Sequence, residues 1–215
     1  MAAFAETSTI GVDLIVVSRQ FGAGGGEVAA ALGRSLGWKV LDREILSAAA
    51  ERLHAEEASM EPIDEYASGL IERVAATFSL SAPEGVILPT DDVDADALAK
   101  AVHDVVRTAA DAPPVVVVGH GAQCLLKLRP RTLAVRVFAP FEARVERVAR
   151  RENSSREAAR SEVARRDKQR ERYLRHHFGC DPAEPTLYAV QVNTACVSID
   201  GCVECILATA GVRSR

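Results

Sequence analysis

Apolar runs bounded by turn residues recur along the chain, at 14–18, 39–41, 115–118, 133–138 and 187–192. Between them, apolar residues return every three or four positions, the period of a helix with one buried face. Strands alternating with helices predict an α/β fold with a parallel sheet, because parallel neighbours need a crossover and a helix commonly supplies it. The four valines 115–118 follow Pro113-Pro114 without polar alternation, as expected of a strand covered on both faces. Gly119 ends that strand, and 122–127 reads as a short helix. The first run leads into the cluster Gly22-Ala23-Gly24-Gly25-Gly26, followed by an amphipathic helix over 27–36.

Two stretches stand outside this alternation. Residues 56–112 are too long for a simple crossover: an amphipathic segment at 63–80, a loop at 81–92 and a helix at 95–110 read as a helical insertion on one edge of the sheet. Asp92 or Asp94 is placed to cap its second helix. Residues 141–178 are nearly continuous helix rich in arginine. They break at 153–155, where Ser154 or Ser155 followed by Glu157 signals a new N-terminus. A last helix is expected at 201–209, capped by Ser198 or Asp200.

With 215 residues and 48% hydrophobic content the chain has enough apolar surface for one full core, expected over 13–215 behind a flexible 1–12. No apolar run approaches the roughly 20 residues of a membrane-spanning helix. The first eleven residues lack the basic start and apolar stretch of a signal peptide. A cytoplasmic protein without a membrane partner is therefore expected. Five cysteines, an odd number, do not suggest a disulfide framework, and Cys202-x-x-Cys205 falls in a helix where cysteines three apart commonly pack. No metal site is expected from them.

The net charge of −4 is uneven. Residues 142–177 hold twelve Arg or Lys against seven Asp or Glu, whereas the rest of the chain is acidic. Positive charge concentrated on one segment of an acidic protein points to a local anionic ligand rather than to a nucleic-acid polymer. Glycine after a strand lets backbone N–H groups approach a phosphate, and the following helix N-terminus adds partial positive charge. The pattern G-x-x-x-x-G-K-[ST] is nevertheless absent: with Gly24 as its last glycine, Gly25 stands where the lysine belongs. Ligands of open parallel sheets sit beyond the carboxyl ends of the strands. Those ends here carry Ser18 and Arg19, then Asp42, Arg43 and Glu44, then Gly119, His120 and Gly121, and finally the basic helix pair.

The strings SRQFGAGGGEVA, LDREIL, VVVGHGAQCLL and ARRDKQRERYLRHHFG, in this order, resemble the cytidylate kinase-like family, a branch of the nucleoside monophosphate kinases. The resemblance runs from about Asp13 to the C-terminal helix. It implies a three-layer α/β/α core of the P-loop type around a five-stranded parallel sheet. It further implies an acceptor-binding insertion at 56–112 and a basic lid at 150–176. The implied activity is transfer of the γ-phosphoryl group from ATP, with Mg²⁺, to a pyrimidine nucleoside monophosphate such as CMP or dCMP. A glycine pair in place of Gly-Lys is characteristic of the family and matches Gly24-Gly25. Its usual Gly-Arg-Gly after the third strand is Gly119-His120-Gly121 here, and the position after the glycine pair is Gly26.

Without a loop lysine, the phosphate cation must come from elsewhere. Arg19 is one candidate. Arg166 and Arg170, four apart on one helix face, are preferred, because guanidinium groups grip phosphate oxygens bidentately. Arg166-Asp167-x-x-Arg170 resembles the lid motif of cytidylate kinases, whose arginines reach both phosphate chains, with Asp167 orienting them or the acceptor phosphate. The competing reading is a solvated helix whose ion pairs contribute under about 1 kcal/mol each. Gly22, Ala23, Gly24, Gly25 and Gly26 are expected to cradle the ATP phosphates. Glu27 either binds metal or merely favours the helix N-terminus. Asp42 is placed for Mg²⁺ or the acceptor, or for capping a helix, and Arg43 for the acceptor monophosphate. His120 either contacts the acceptor nucleotide or is an uncharged turn residue. A rival class keeps the fold without the reaction, as a nucleotide-binding or regulatory protein.

Overall fold

The computed structural model describes residues 11–42, 44–45, 47–49 and 95–211. Their strands are β1 (Leu14–Arg19), β2 (Lys39–Leu41), β3 (Val115–Val118), β4 (Thr132–Phe138) and β5 (Val190–Asn193). All pair in parallel, in the order β2-β3-β1-β4-β5, so β1 lies at the centre. The helices are α1 (Gly25–Leu36), α2 (Ala95–Ala110), α3 (Ala122–Leu125), α4 (Phe141–Glu152), α5 (Arg156–Phe178) and α6 (Ile199–Thr209).

Alternation along the central strands divides the core between two helical layers. Ile15, Val17, Val116, Val118 and the inward residues of β4 pack with Val28 and Leu32 of α1 and with Val203 and Ile206 of α6. Leu14, Val16, Val115 and Val117 face the other way, onto Leu98, Val102, Val105 and Val106 of α2 and onto Ile45. Complete burial of each such side chain stabilises by about 1.5–3 kcal/mol before the ordering entropy is counted. The result is the expected three-layer α/β/α sandwich on a five-stranded parallel sheet. Helix α2, read from sequence as part of an edge insertion, forms one of these layers. The reason is that its apolar stripe matches the second face of β1 and β3. The rest of the insertion before residue 95, the caps Asp92 and Asp94, Arg43 and the first ten residues lie outside the described residues.

Several boundaries differ from expectation for local reasons. Helix α1 begins at Gly25, two residues early, with Val28 N–H already bonded to the Gly24 carbonyl at 3.1 Å. The final strand begins at Val190 instead of 187. Pro185 lacks a ladder donor, and Pro185–Leu187 form a 3₁₀ turn capped by Glu184, which accepts from Thr186 N–H at 3.0 Å. Helix α6 starts at Ile199, and its cap is Ser198, accepting from Gly201 N–H at 3.1 Å. The short helix after β3 stops at Leu125. The break between α4 and α5 falls at the expected place. Asn153 takes a left-handed conformation, and Ser155 rather than Ser154 caps α5, accepting from Ala158 N–H at 3.1 Å.

Helices α4 and α5 close a small core of their own from Val145, Val148, Ala159 and Val163, against which Phe21 packs. That contact sets the arginine-rich hairpin against the glycine loop. Among the described residues no helix is long and apolar enough to cross a membrane. Cys202 is fully buried in the core and Cys205 is exposed, so the C-x-x-C straddles the two sides of α6. No cluster of three or more His, Cys, Asp or Glu able to hold a metal ion occurs among the described residues.

Candidate active site

The turn from β1 to α1 is held from beneath. Gly22 and Gly24 take left-handed conformations, with φ of 76° and 79°. A Cβ on Gly22 would stand 2.8 Å from Val148, so the backbone lies directly on α4 there. Arg144, only 4% exposed, donates to the carbonyls of Ala139 (3.0 Å) and Phe21 (3.1 Å). Arg147 donates to the Gly22 carbonyl at 3.0 Å and to Thr194 Oγ1 at 3.1 Å, and Thr194 in turn donates to the Ala23 carbonyl at 2.7 Å. The loop's carbonyls are thus occupied by the protein. No side chain caps α1 at Gly24, so its first-turn N–H groups are available to an outside acceptor. Glu27 is exposed in that turn.

Asp167 ties the loop to the lid. Its Oδ2 accepts from Arg144 Nη1 at 2.7 Å and its Oδ1 from Phe21 N–H at 3.4 Å. Its direct partners are therefore Arg144 and the glycine loop. Arg166 and Arg170, on the same helix, turn inward. Arg166 is 8% exposed, pairs with Glu162 at 2.5 Å and lies over the Phe21 ring at 5.3 Å. Arg170 is buried deeply enough that its guanidinium is pushed down to about 10. Desolvation is the main cause and the neighbouring Arg19 charge comes next. It remains a cation at neutral pH.

Arg19, from the end of β1, donates through Nη2 to Asp42 Oδ1 at 2.8 Å. Asp42 follows β2, and its carboxylate is engaged by this pair. Its N–H is bonded to Glu44 Oε2 at 3.0 Å. His120 is 6% exposed and donates through Nε2 to the Asp42 carbonyl at 2.9 Å. Burial pushes its imidazole down to about 4, so it is uncharged at neutral pH. His120 sits between two left-handed glycines and is itself left-handed, with φ of 55°.

Ser18, Arg19, Gly119, His120, Gln123, Arg166, Arg170 and Tyr173 line one cavity of about 490 Å³. It lies beyond the carboxyl ends of β1 and β3 and beneath α5. The Nη1 atoms of Arg19, Arg166 and Arg170 are buried without a hydrogen-bond partner. Three arginines that line one cavity, each with an Nη1 lacking a protein partner, have the chemistry to receive a polyanion. The outer arginines of the hairpin follow the solvated reading instead. Arg156 and Arg160 pair with Glu142, Arg165 with Glu162, and Arg175 with Glu171 and Asp181, all from largely exposed positions.

The structure therefore gathers Arg19, Arg166, Arg170 and His120 at the cavity, and brings Asp42 to Arg19 and Asp167 to the loop. Arg144, Arg147 and Thr194 were missed from sequence. Thr194 was within reach of the rule that strand ends carry ligands, since it follows β5. Nothing local distinguished Arg144 or Arg147 from the solvated arginines around them.

Comparison with known proteins bears on this arrangement. An uncharacterized protein from Eubacterium ventriosum has a similar structure, with a TM-score of 0.68 at 17% identity over 93% of this chain and 99% of that one. A shikimate kinase from Bacteroides thetaiotaomicron gives 0.53 at 13% identity, covering 93% and 98%. The shikimate kinase from Acinetobacter baumannii, in complex with shikimate, gives 0.50 at 17% identity, covering 93% of each. These likenesses show the fold of the P-loop kinases. No curated protein sequence gives a significant match. The sequence family is matched directly, across 14–195: the chain belongs to the cytidylate kinase-like family.

Proposed function

We propose that this protein is an ATP-dependent phosphotransferase that passes the γ-phosphoryl group to a pyrimidine nucleoside monophosphate such as CMP or dCMP. The observation that carries the reading is the set of three arginines, Arg19, Arg166 and Arg170, that line one cavity with a buried Nη1 each unpartnered, Arg19 also packing its stem against Gly25 of the glycine loop. Arg19 and Arg166 already have a carboxylate each, whereas Arg170 is desolvated beside the Arg19 charge, and an anion in the cavity would offset that cost. Phosphoryl transfer asks a protein for alignment, exclusion of water and neutralisation of charge, more than for covalent chemistry.

The residues present fit a nucleoside triphosphate. Gly22, Ala23, Gly24, Gly25 and Gly26 form an uncapped helix N-terminus whose carbonyls are already held by Arg144, Arg147 and Thr194. Asp42 and the exposed Glu27 offer the oxygen donors that Mg²⁺ prefers. Mg²⁺ commonly takes only one or two carboxylates besides phosphate oxygens, and it would supply further neutralisation of the phosphate chain. Arg166 and Arg170 neutralise charge from above, and α5, as the lid expected at 150–176, keeps water out. The Asp167–Arg144 pair couples lid to loop, so the two are positioned together. His120, uncharged, gives the acceptor side a hydrogen-bonding surface without adding a fourth cation. The pyrimidine monophosphate as acceptor rests on the family.

The test is a coupled assay of ADP release with CMP, dCMP and UMP as acceptors, run beside calorimetry with Mg·ATP. We expect ADP release that depends on one of these acceptors. Intact Mg·ATP binding with no turnover on any of them would refute the reading in favour of a binding or regulatory protein of the same fold.

A further inference from the structure

In the register of G-x-x-x-x-G-K-[ST] that places Gly24 at the last glycine, the lysine position is Gly25 and the first glycine position is Arg19. The two positions are in contact. A Cβ built on Gly25 would lie 2.5 Å from Arg19 Cβ, 2.9 Å from its Cδ and 3.2 Å from its Cγ. The stem of Arg19 therefore fills the space that a side chain at position 25 would need. Its guanidinium is fixed by Asp42 through Nη2, while Nη1 is buried without a hydrogen-bond partner, and the residue lines the cavity.

From this we infer that arginine and glycine have exchanged places across the loop. Arg19, reaching over Gly25 from the end of β1, is the phosphate-binding cation that the loop lysine would otherwise supply. The inference rests on the reading of the glycine loop as a triphosphate site. It goes further in assigning the cation to the strand instead of to the lid. Arg166 and Arg170 belong to α5 and accompany the lid. Arg19 belongs to the central strand and is held in place by a carboxylate, so it is in position whether or not the lid is closed. With Nη2 held by Asp42, Nη1 is the donor left for a phosphate oxygen.

The exchange makes a pairwise prediction. One space admits one side chain, so a lysine at 25 requires glycine at 19, and even the Cβ of an alanine at 19 would conflict with it. Calorimetric titration with Mg·ATP is to be run on the whole chain, with thermal melts to confirm folding. The proteins are the wild type, Arg19→Gly, Arg19→Gln, Gly25→Lys and two doubles, Arg19→Gly/Gly25→Lys and Arg19→Ala/Gly25→Lys. Loss of one charge-assisted contact is expected to weaken Mg·ATP binding by about tenfold or more in Arg19→Gly and Arg19→Gln. Gly25→Lys alone is expected to weaken it as much by crowding. The Arg19→Gly double is expected to return to within about threefold of wild type, and the Arg19→Ala double is not. A purely structural role for Arg19 would not be rescued by lysine at 25. Should Arg19→Gly fail to fold, Arg19→Gln, which can still bond Asp42, carries the test. Wild-type affinity in Arg19→Gln, or an Arg19→Gly double no better than Arg19→Gly, would overturn the inference while leaving the triphosphate site standing. If the wild type takes up no Mg·ATP, the triphosphate reading itself fails, and this inference with it.

Discussion

Lowering the pH should destabilise this protein through one buried imidazole. His120 has an ordinary value near 6.5 when unfolded and about 4 when folded, because burial penalises its charged form; the Arg19 charge acts in the same direction and the Asp42 carbonyl opposes it. Between these two values the unfolded chain holds a proton that the folded one does not, so stability rises with pH. The contribution is complete above about 6.5, is lost as pH falls toward 4, and amounts to about 3 kcal/mol over the whole window. At pH 5 about 2 kcal/mol of it should already be gone, a large part of the 5–15 kcal/mol that holds a typical domain. Urea denaturation at intervals from pH 7.5 to 4.5 measures this. Other groups, including the carboxylates paired with arginine, also respond to acid, so the decisive quantity is the difference between wild type and His120→Asn. Asparagine tolerates the left-handed backbone at this position and does not titrate. The wild type should lose about 2 kcal/mol more than the variant between pH 7.5 and 5. A difference that stays flat across that range would show that His120 is not buried as an uncharged ring.

Three further outcomes are expected from the packing. Gly121→Ala places a Cβ 2.2 Å from the edge of the Phe178 ring at a φ of 74°, and should cost about 2–4 kcal/mol by denaturant titration, with loss of the contact between α5 and the turn after β3. Gly26→Ala meets nothing within 4 Å in the first turn of α1, and should be neutral or stabilising by up to about 1 kcal/mol, measured as a melting-temperature shift. Arg144→Met removes the donor to the carbonyls of Phe21 and Ala139 and leaves the Asp167 carboxylate with only the long contact from Phe21 N–H. It should cost about 3 kcal/mol and weaken Mg·ATP binding, with partial recovery of stability in Arg144→Met/Asp167→Asn.

Much of the architecture is legible along the chain. Four consecutive valines announce a doubly covered strand, and Val115–Val118 is buried throughout. The bounds of α2 and the break at Asn153–Ser155 arise from periodicity and from residues that tolerate the required backbone. The proposal of a phosphate site at the first turn starts from its glycines and from the chemistry gathered at the strand ends. These properties depend on near neighbours, within about a turn of helix or a pair of strand residues, so the order of amino acids contains them.

Partnership between distant residues is another matter. Periodicity puts Arg166 and Arg170 on one face of α5 but does not say that this face is covered while Arg165 and Arg175 meet solvent; the seat of Phe21 against α4 and α5 does. Asp167 finds Arg144, 23 residues earlier, because the hairpin folds back on itself. Helix α2 becomes a core layer because an apolar stripe needs a complementary surface, and its surface is supplied by β1 and β3. Along the chain the loop lysine is simply missing; in three dimensions its place is filled by the stem of Arg19. Burial and charge compensation depend on which surfaces meet, and only the closed packing of sheet, loop and hairpin settles that.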